Sequence, residues 1–134
     1  MKFRKEKNCF IIKFEPGEEV VESLKKFCAA RKIKGGFVTG IGAAKQATLG
    51  VFDVRRKQYW KKTLEGDLEI ASLSGSVSEL GPHLHSVIAG RDFTAVGGHV
   101  LRLVTSVTCE LFVFPTRAIK RVADERFNLK LMKL

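Results

Sequence analysis

The chain has 134 residues, of which 45% are hydrophobic and 28% charged, and it carries a formal net charge of +10 at pH 7. That length suits one domain spanning residues 1–134. No apolar run reaches the roughly 20 residues of a membrane-spanning helix, and the opening MKFRKEKNCF lacks the apolar stretch of a secretory leader, so a cytoplasmic address without membrane association is expected.

Cys9, Cys28 and Cys109 are odd in number and widely spaced, with no C-x-x-C pair. This excludes a disulfide framework and a thiolate zinc knuckle. Each lies in an apolar run and is expected to behave as a small buried hydrophobe. The charge is unevenly placed. Residues 1–62 hold 16 Lys+Arg against 6 Asp+Glu, whereas residues 63–134 hold 8 of each. A positive face in the first half implies an anionic partner such as nucleic acid, or alternatively a Lys-rich surface that serves solubility.

In chain order, NCFIIKF at residues 8–14 is β-branched and aromatic and predicts a strand, which Pro16 and Gly17 break. From Gly17 to Ile33 the period changes. Val20, Leu24, Phe27 and Cys28 fall on one stripe, with Glu18 and Glu19 in the first turn and Arg31 and Lys32 in the last, which predicts the one principal helix. Residues 35–54 read as two short strands around a small-residue turn at Gly40 to Ala44. These glycines match neither the P-loop nor the dinucleotide fingerprint. Next comes VRRKQYWKKTL, a basic run interrupted by Tyr59 and Trp60. Arg55, Arg56, Lys57, Lys61 and Lys62 are the candidate nucleic-acid surface, with rings that could stack bases; otherwise this is a solvated strand whose rings pack inward or at a subunit contact. From Leu68 an alternating pattern predicts a half-buried strand, with Glu69, Ala71 and Leu73 on one face and Ile70, Ser72 and Ser74 on the other. A long β-rich run from Val100 to Phe114 follows, with a turn expected near Thr105 and Ser106. Leu129 to Leu134 read as an edge strand. Strands dominate around one helix, so the fold class is α+β with a mainly antiparallel sheet.

All three histidines lie between Gly81 and Val100. In a strand, residues i and i+2 share a face about 6.6–6.8 Å apart. His83 and His85 therefore present two imidazoles together, and a turn near Arg91 to Thr94 brings His99 back on the neighbouring strand. Gly97 and Gly98 allow the backbones there to approach closely. Three imidazoles suit a zinc ion with one open position. The competing reading is three unrelated polar residues. Glu69, Glu79 and Glu110 are possible extra ligands or bases.

The run HLHSVIAGRDFTAVGGHVLRLVTSVTCELFV resembles the PPC (plants and prokaryotes conserved) domain family. Supporting matches are Glu15-Pro16-Gly17-Glu18 at the helix start, Gly40-Ile41-Gly42-Ala43, and Glu69 to Gly75. The resemblance implies an α+β homotrimer of free-standing prokaryotic type, with DNA binding by association and a metal at His83, His85 and His99. The chain has no Arg-Gly-Arg-Pro hook, the minor-groove reader of the plant members. A small homotrimeric DNA-binding protein with a three-histidine metal site is thus the leading expectation, and binding is favoured over catalysis. The alternative is a metal-dependent enzyme or small-ligand-binding protein that uses the open zinc site. A third reading makes the trimer a scaffold for partner proteins.

Overall fold

The computed structural model describes residues 1–134. Its elements are β1 (Lys2–Lys5), β2 (Phe10–Phe14), α1 (Val20–Ala30), β3 (Gly36–Asp53), β4 (Gln58–Ser78), β5 (Gly81–Ala89), β6 (Ala95–Pro115), β7 (Lys120–Asp124) and β8 (Leu129–Lys133). This is an α+β fold with one helix, and every strand pairing is antiparallel.

Six strands form one sheet in the order β1-β2-β6-β3-β4-β5, and β5 also pairs with β6, so β3 to β6 close on themselves. Strand β6 makes this possible by being long and shared. Its first residues pair with β5, and Cys109 to Val113 pair with β2. Strand β3 runs beside both parts. The helix packs against β5 and β6. Phe10, Ile12 and Phe14 from alternate positions of β2 meet Val20, Leu24, Phe27 and Cys28 of the helix in one core. Period 2 on the strand and period 3.6 on the helix thus supply the two faces of that core.

The helix is shorter than the periodicity predicts. Glu19 is its N-cap, with its carboxylate accepting hydrogen bonds from the backbone N–H groups of Val21 and Glu22, and also from Leu103 on β6. The helix start is therefore tied to the sheet. Glu18 lies outside the helix, accepting from the N-terminal ammonium and from the Glu15 amide. Arg31 is the C-cap and Lys32 adopts a left-handed conformation with φ of 56°, which ends the helix before the basic residues enter its last turn.

Two expected turns are absent. Gly40 to Ala44 lie inside the continuous strand β3, whose register shifts between Gly40 and Gly42 and again between Ala44 and Gln46. A side chain at Gly40 would stand 2.2 Å from the Glu110 carbonyl oxygen, so this glycine serves close strand packing rather than reversal. Likewise Thr105 and Ser106 lie within β6, whose register against β3 shifts between Cys109 and Thr105. The face assignment on β4 also changes. A register shift between Ile70 and Ser72 inserts one residue, so Ile70 and Leu73 both point inward and Glu69 is exposed. Leu129 to Lys133 pair only with β7, in a separate two-stranded ribbon rather than at the edge of the main sheet.

Cys28 and Cys109 are buried, and burial pushes their thiols up to about 11 and about 12. They are inert fillers of the core, as expected. Cys9 is half-buried.

Candidate metal centre

Strand β5 alternates strictly. Leu84, Ser86 and Ile88 face the core, and His83, His85 and Val87 face outward. Strand β6 reaches the site with His99 directly opposite His85, while Val100 turns into the core. On the other side of β5, His83 pairs with Ser76 and His85 with Ser74 of β4. Between these pairs lies Gly75, where a β-carbon would stand 2.0 Å from the His83 carbonyl oxygen. The spacing of the histidine pair against β4 therefore depends on a residue with no side chain. Gly98 does the same on β6, where a β-carbon would come within 2.8 Å of the Gly50 carbonyl oxygen. Gly97 contributes less, at 3.3 Å from Ser86.

The three rings form a compact triangle. Centroids are 5.1 Å apart for His83 and His85, 5.0 Å for His83 and His99, and 5.5 Å for His85 and His99. One ring nitrogen from each lies within 4.8 Å of the other two. Tyr59 packs its ring 5.2 Å from that of His99, and Phe52 backs Tyr59 edge-on.

Burial, followed by Arg121 and the other two imidazoles, pushes His83 down to about 4. Burial and then His85 also lower His99. Both rings are neutral at pH 7, the form that ligates a metal. His99 Nδ1 is buried and has no hydrogen-bond partner. An orphaned ring nitrogen costs free energy unless something accepts its lone pair or its proton. The donor set of three imidazoles close together fits a borderline-soft divalent ion such as zinc.

Arg121 reaches the site from β7. Its guanidinium donates to Ser76 Oγ at 3.1 Å and meets His83 Nδ1 at 3.0 Å. Because arginine only donates, His83 Nδ1 accepts and the ring proton sits on Nε2 in the metal-free chain, so His83 gives up this hydrogen bond when it offers a lone pair to an ion. Sequence reasoning missed this residue. The turn DERFN between two alternating runs signals a hairpin at the C-terminus, but nothing local says which site the hairpin covers. Glu69, Glu79 and Glu110 are all exposed, and no carboxylate joins the histidine group.

The basic residues occupy a different region. Arg55, Arg56 and Lys57 sit in the turn between β3 and β4, and all five candidate cations are exposed. They are not a bare basic patch. Arg56 lies 5.0 Å over the Trp60 ring, whose Nε1 donates to Asp53 at 3.1 Å, and Lys57 donates to the Glu125 carbonyl. Lys61 and Lys62, as successive residues of a strand, point to opposite faces of the ribbon. Tyr59 packs on the His99 side. One ring of the pair is thus packed among aromatics, and the other is covered by an arginine.

Residues 1–116 match the model of the Plants and Prokaryotes Conserved (PCC) domain. The chain belongs to this family. A candidate DNA-binding protein from Bacteroides thetaiotaomicron superposes with a TM-score of 0.93 at 28% identity, covering 98% of this chain and 96% of that one. A metal-containing protein from Archaeoglobus fulgidus superposes with a TM-score of 0.84 at 33% identity, covering 99% and 97% respectively. Among curated proteins, the bifunctional protein GlmU of a Synechococcus strain is 35% identical over 86 residues, which are 63% of this chain and only 13% of that protein. In this PCC domain the match ends before β7, so Arg121 comes from chain beyond the matched region.

Proposed function

We propose that this PCC-domain protein is a homotrimer that binds one zinc ion per chain through His83, His85 and His99. The observation that carries this reading is the convergence of three imidazoles, with one ring nitrogen from each within 4.8 Å of the others. The metal-containing relative from Archaeoglobus fulgidus supports it. Three histidines leave one position of a tetrahedral zinc for water or a small ligand, and zinc so bound supplies Lewis acidity. This chain's own residues fix the rest of the site: Tyr59 shields His99, and Arg121 places a permanent positive charge beside His83. The alternative from the sequence, a metal-dependent enzyme or small-ligand-binding protein, is the form of this reading favoured by a cleft that His83, His99 and Arg121 line together. A cytoplasmic location agrees with three free cysteines.

The trimer is supported by an exposed apolar strip on the outer face of β3 and β6. Phe37 is 49% exposed, Phe112 39%, Phe114 38% and Ile41 60%. Phe37 stacks on Phe114 across the strands. A contiguous apolar surface of this kind is usual at a subunit contact and unusual on a monomer. Native mass spectrometry of protein purified without chelator tests metal and assembly together. The expected species has three chains of 14.9 kDa and one zinc per chain. A metal-free monomer would reject the proposal.

A second reading, DNA association, is favoured by the placement of all the excess charge in residues 1–62 and by the candidate DNA-binding relative. Its surface is Arg55, Arg56, Lys57, Lys61 and Lys62. Affinity for duplex DNA should fall steeply as salt rises, and replacing Arg55 and Lys57 by alanine should reduce the slope of log K against log salt by about 1–2. A flat salt response rejects this role and leaves the metal site untouched.

A further inference from the structure

We propose that the cleft beside the three histidines binds a small organic carboxylate, with Arg121 as the residue that receives its charge. The proposal rests on the metal reading above and names the ligand class of that site.

The first argument is charge. The Arg121 guanidinium is half-buried, and its hydrogen-bond partners are Ser76 Oγ, the Lys130 carbonyl oxygen at 3.3 Å and His83 Nδ1. All three are neutral. No carboxylate pairs with Arg121 in any ion pair of the chain. A guanidinium stays charged at every accessible pH, and a partly desolvated charge with only neutral acceptors calls for a counter-ion. The cleft that holds it is lined by no Asp or Glu. A divalent ion on three neutral imidazoles would add two further positive charges beside the guanidinium. The ion and the guanidinium then carry three formal positive charges, Lys130 also lines the cleft, and no protein anion offsets them.

The second argument is shape. The cleft measures about 230 Å³, below the roughly 300–1,000 Å³ of sites for drug-sized molecules. Its lining combines the polar residues His83, His99, Arg121 and Lys130 with the apolar Leu80, Leu129 and Leu131. An inorganic anion would use only the polar residues. A short organic acid uses both, with its chain against the leucines and its carboxylate on the guanidinium, whose planar fork matches two carboxylate oxygens. Two of the three leucines come from β8, so the ribbon that brings Arg121 also supplies the apolar wall.

The test uses the full chain loaded with cobalt(II), whose visible absorption reports the histidine site, while isothermal titration calorimetry reports ligand binding. Butyrate and inorganic phosphate are titrated separately into the parent, Arg121→Gln and Arg121→Lys proteins. Butyrate is expected to bind the parent saturably and at lower concentration than phosphate. Arg121→Gln should weaken butyrate by at least about tenfold, and Arg121→Lys by less, because lysine keeps the charge but loses the fork. The cobalt spectrum before butyrate establishes that each variant keeps its histidine site. No heat of butyrate binding to the parent, equal butyrate affinity in parent and Arg121→Gln, or tighter binding of phosphate than of butyrate overturns the carboxylate proposal while the metal reading stands. If the parent develops no cobalt spectrum, the metal reading itself has failed and the carboxylate proposal falls with it.

Discussion

Replacing His99 by alanine is expected to weaken zinc binding by more than about a hundredfold, since loss of a ligand should exceed the 10–100-fold cost of losing an outer partner. His99 is the donor that makes the site a site. His83 and His85 come from one strand, and two nitrogens on one strand are a weak chelate. His99 arrives from β6 directly opposite His85, and its Nδ1 is buried without a hydrogen-bond partner. The competitive zinc affinity of the purified chain measures the effect. Affinity within a factor of three of the parent would place the ion elsewhere, whereas retention of the sheet in the variant, read by circular dichroism, would assign the loss to ligation rather than to folding. His85→Ala should behave similarly if all three rings ligate.

Gly75→Ala is expected to carry the largest stability cost among single-atom changes near the site. The new β-carbon would stand 2.0 Å from the His83 carbonyl oxygen and 3.0 Å from the Leu84 α-carbon, both backbone atoms of the facing strand. A flexible side chain could move away, but a strand paired on both edges moves only as a unit, and β5 is paired with β4 and β6. Overpacking of this kind costs about 3 kcal/mol, which for a domain of this size lowers the melting temperature by roughly 10 °C. The displaced strand carries His83 and His85, so zinc affinity should fall together with stability. Gly97→Ala is the control, because its β-carbon meets its nearest neighbour at 3.3 Å and should cost below about 1 kcal/mol. Equal melting temperatures for the two variants would show that β4 and β5 are not held at the spacing described.

The histidine site was legible because its geometry depends on two local rules. Alternation put His83 and His85 on one face, and the turn after Ala89 returned β6 antiparallel so that His99 met His85. The helix stripe and the inward positions of β2 followed from periodicity in the same way. What failed to show in the sequence was irregularity and long-range placement. Glycines at 40 and 42 look like a reversal in one dimension, but they serve close contact between β3 and β6 in three. The inserted residue between Ile70 and Ser72 turned Glu69 out to solvent, and no residue type nearby announces a bulge. Arg121 lies 38 residues from His83, and only the folded ribbon brings the two together. The basic run shows the opposite limitation. Its composition suggested one cationic surface, yet Asp53, Trp60 and the β7–β8 ribbon each engage part of it.

The most direct measurement is an anomalous difference map at the zinc edge, from crystals grown without chelator. A single peak per chain is predicted, about 2.0–2.1 Å from one nitrogen each of His83, His85 and His99. A map with no peak among the three rings, or with its peak on other residues, would contradict the assignment of this site as a metal centre.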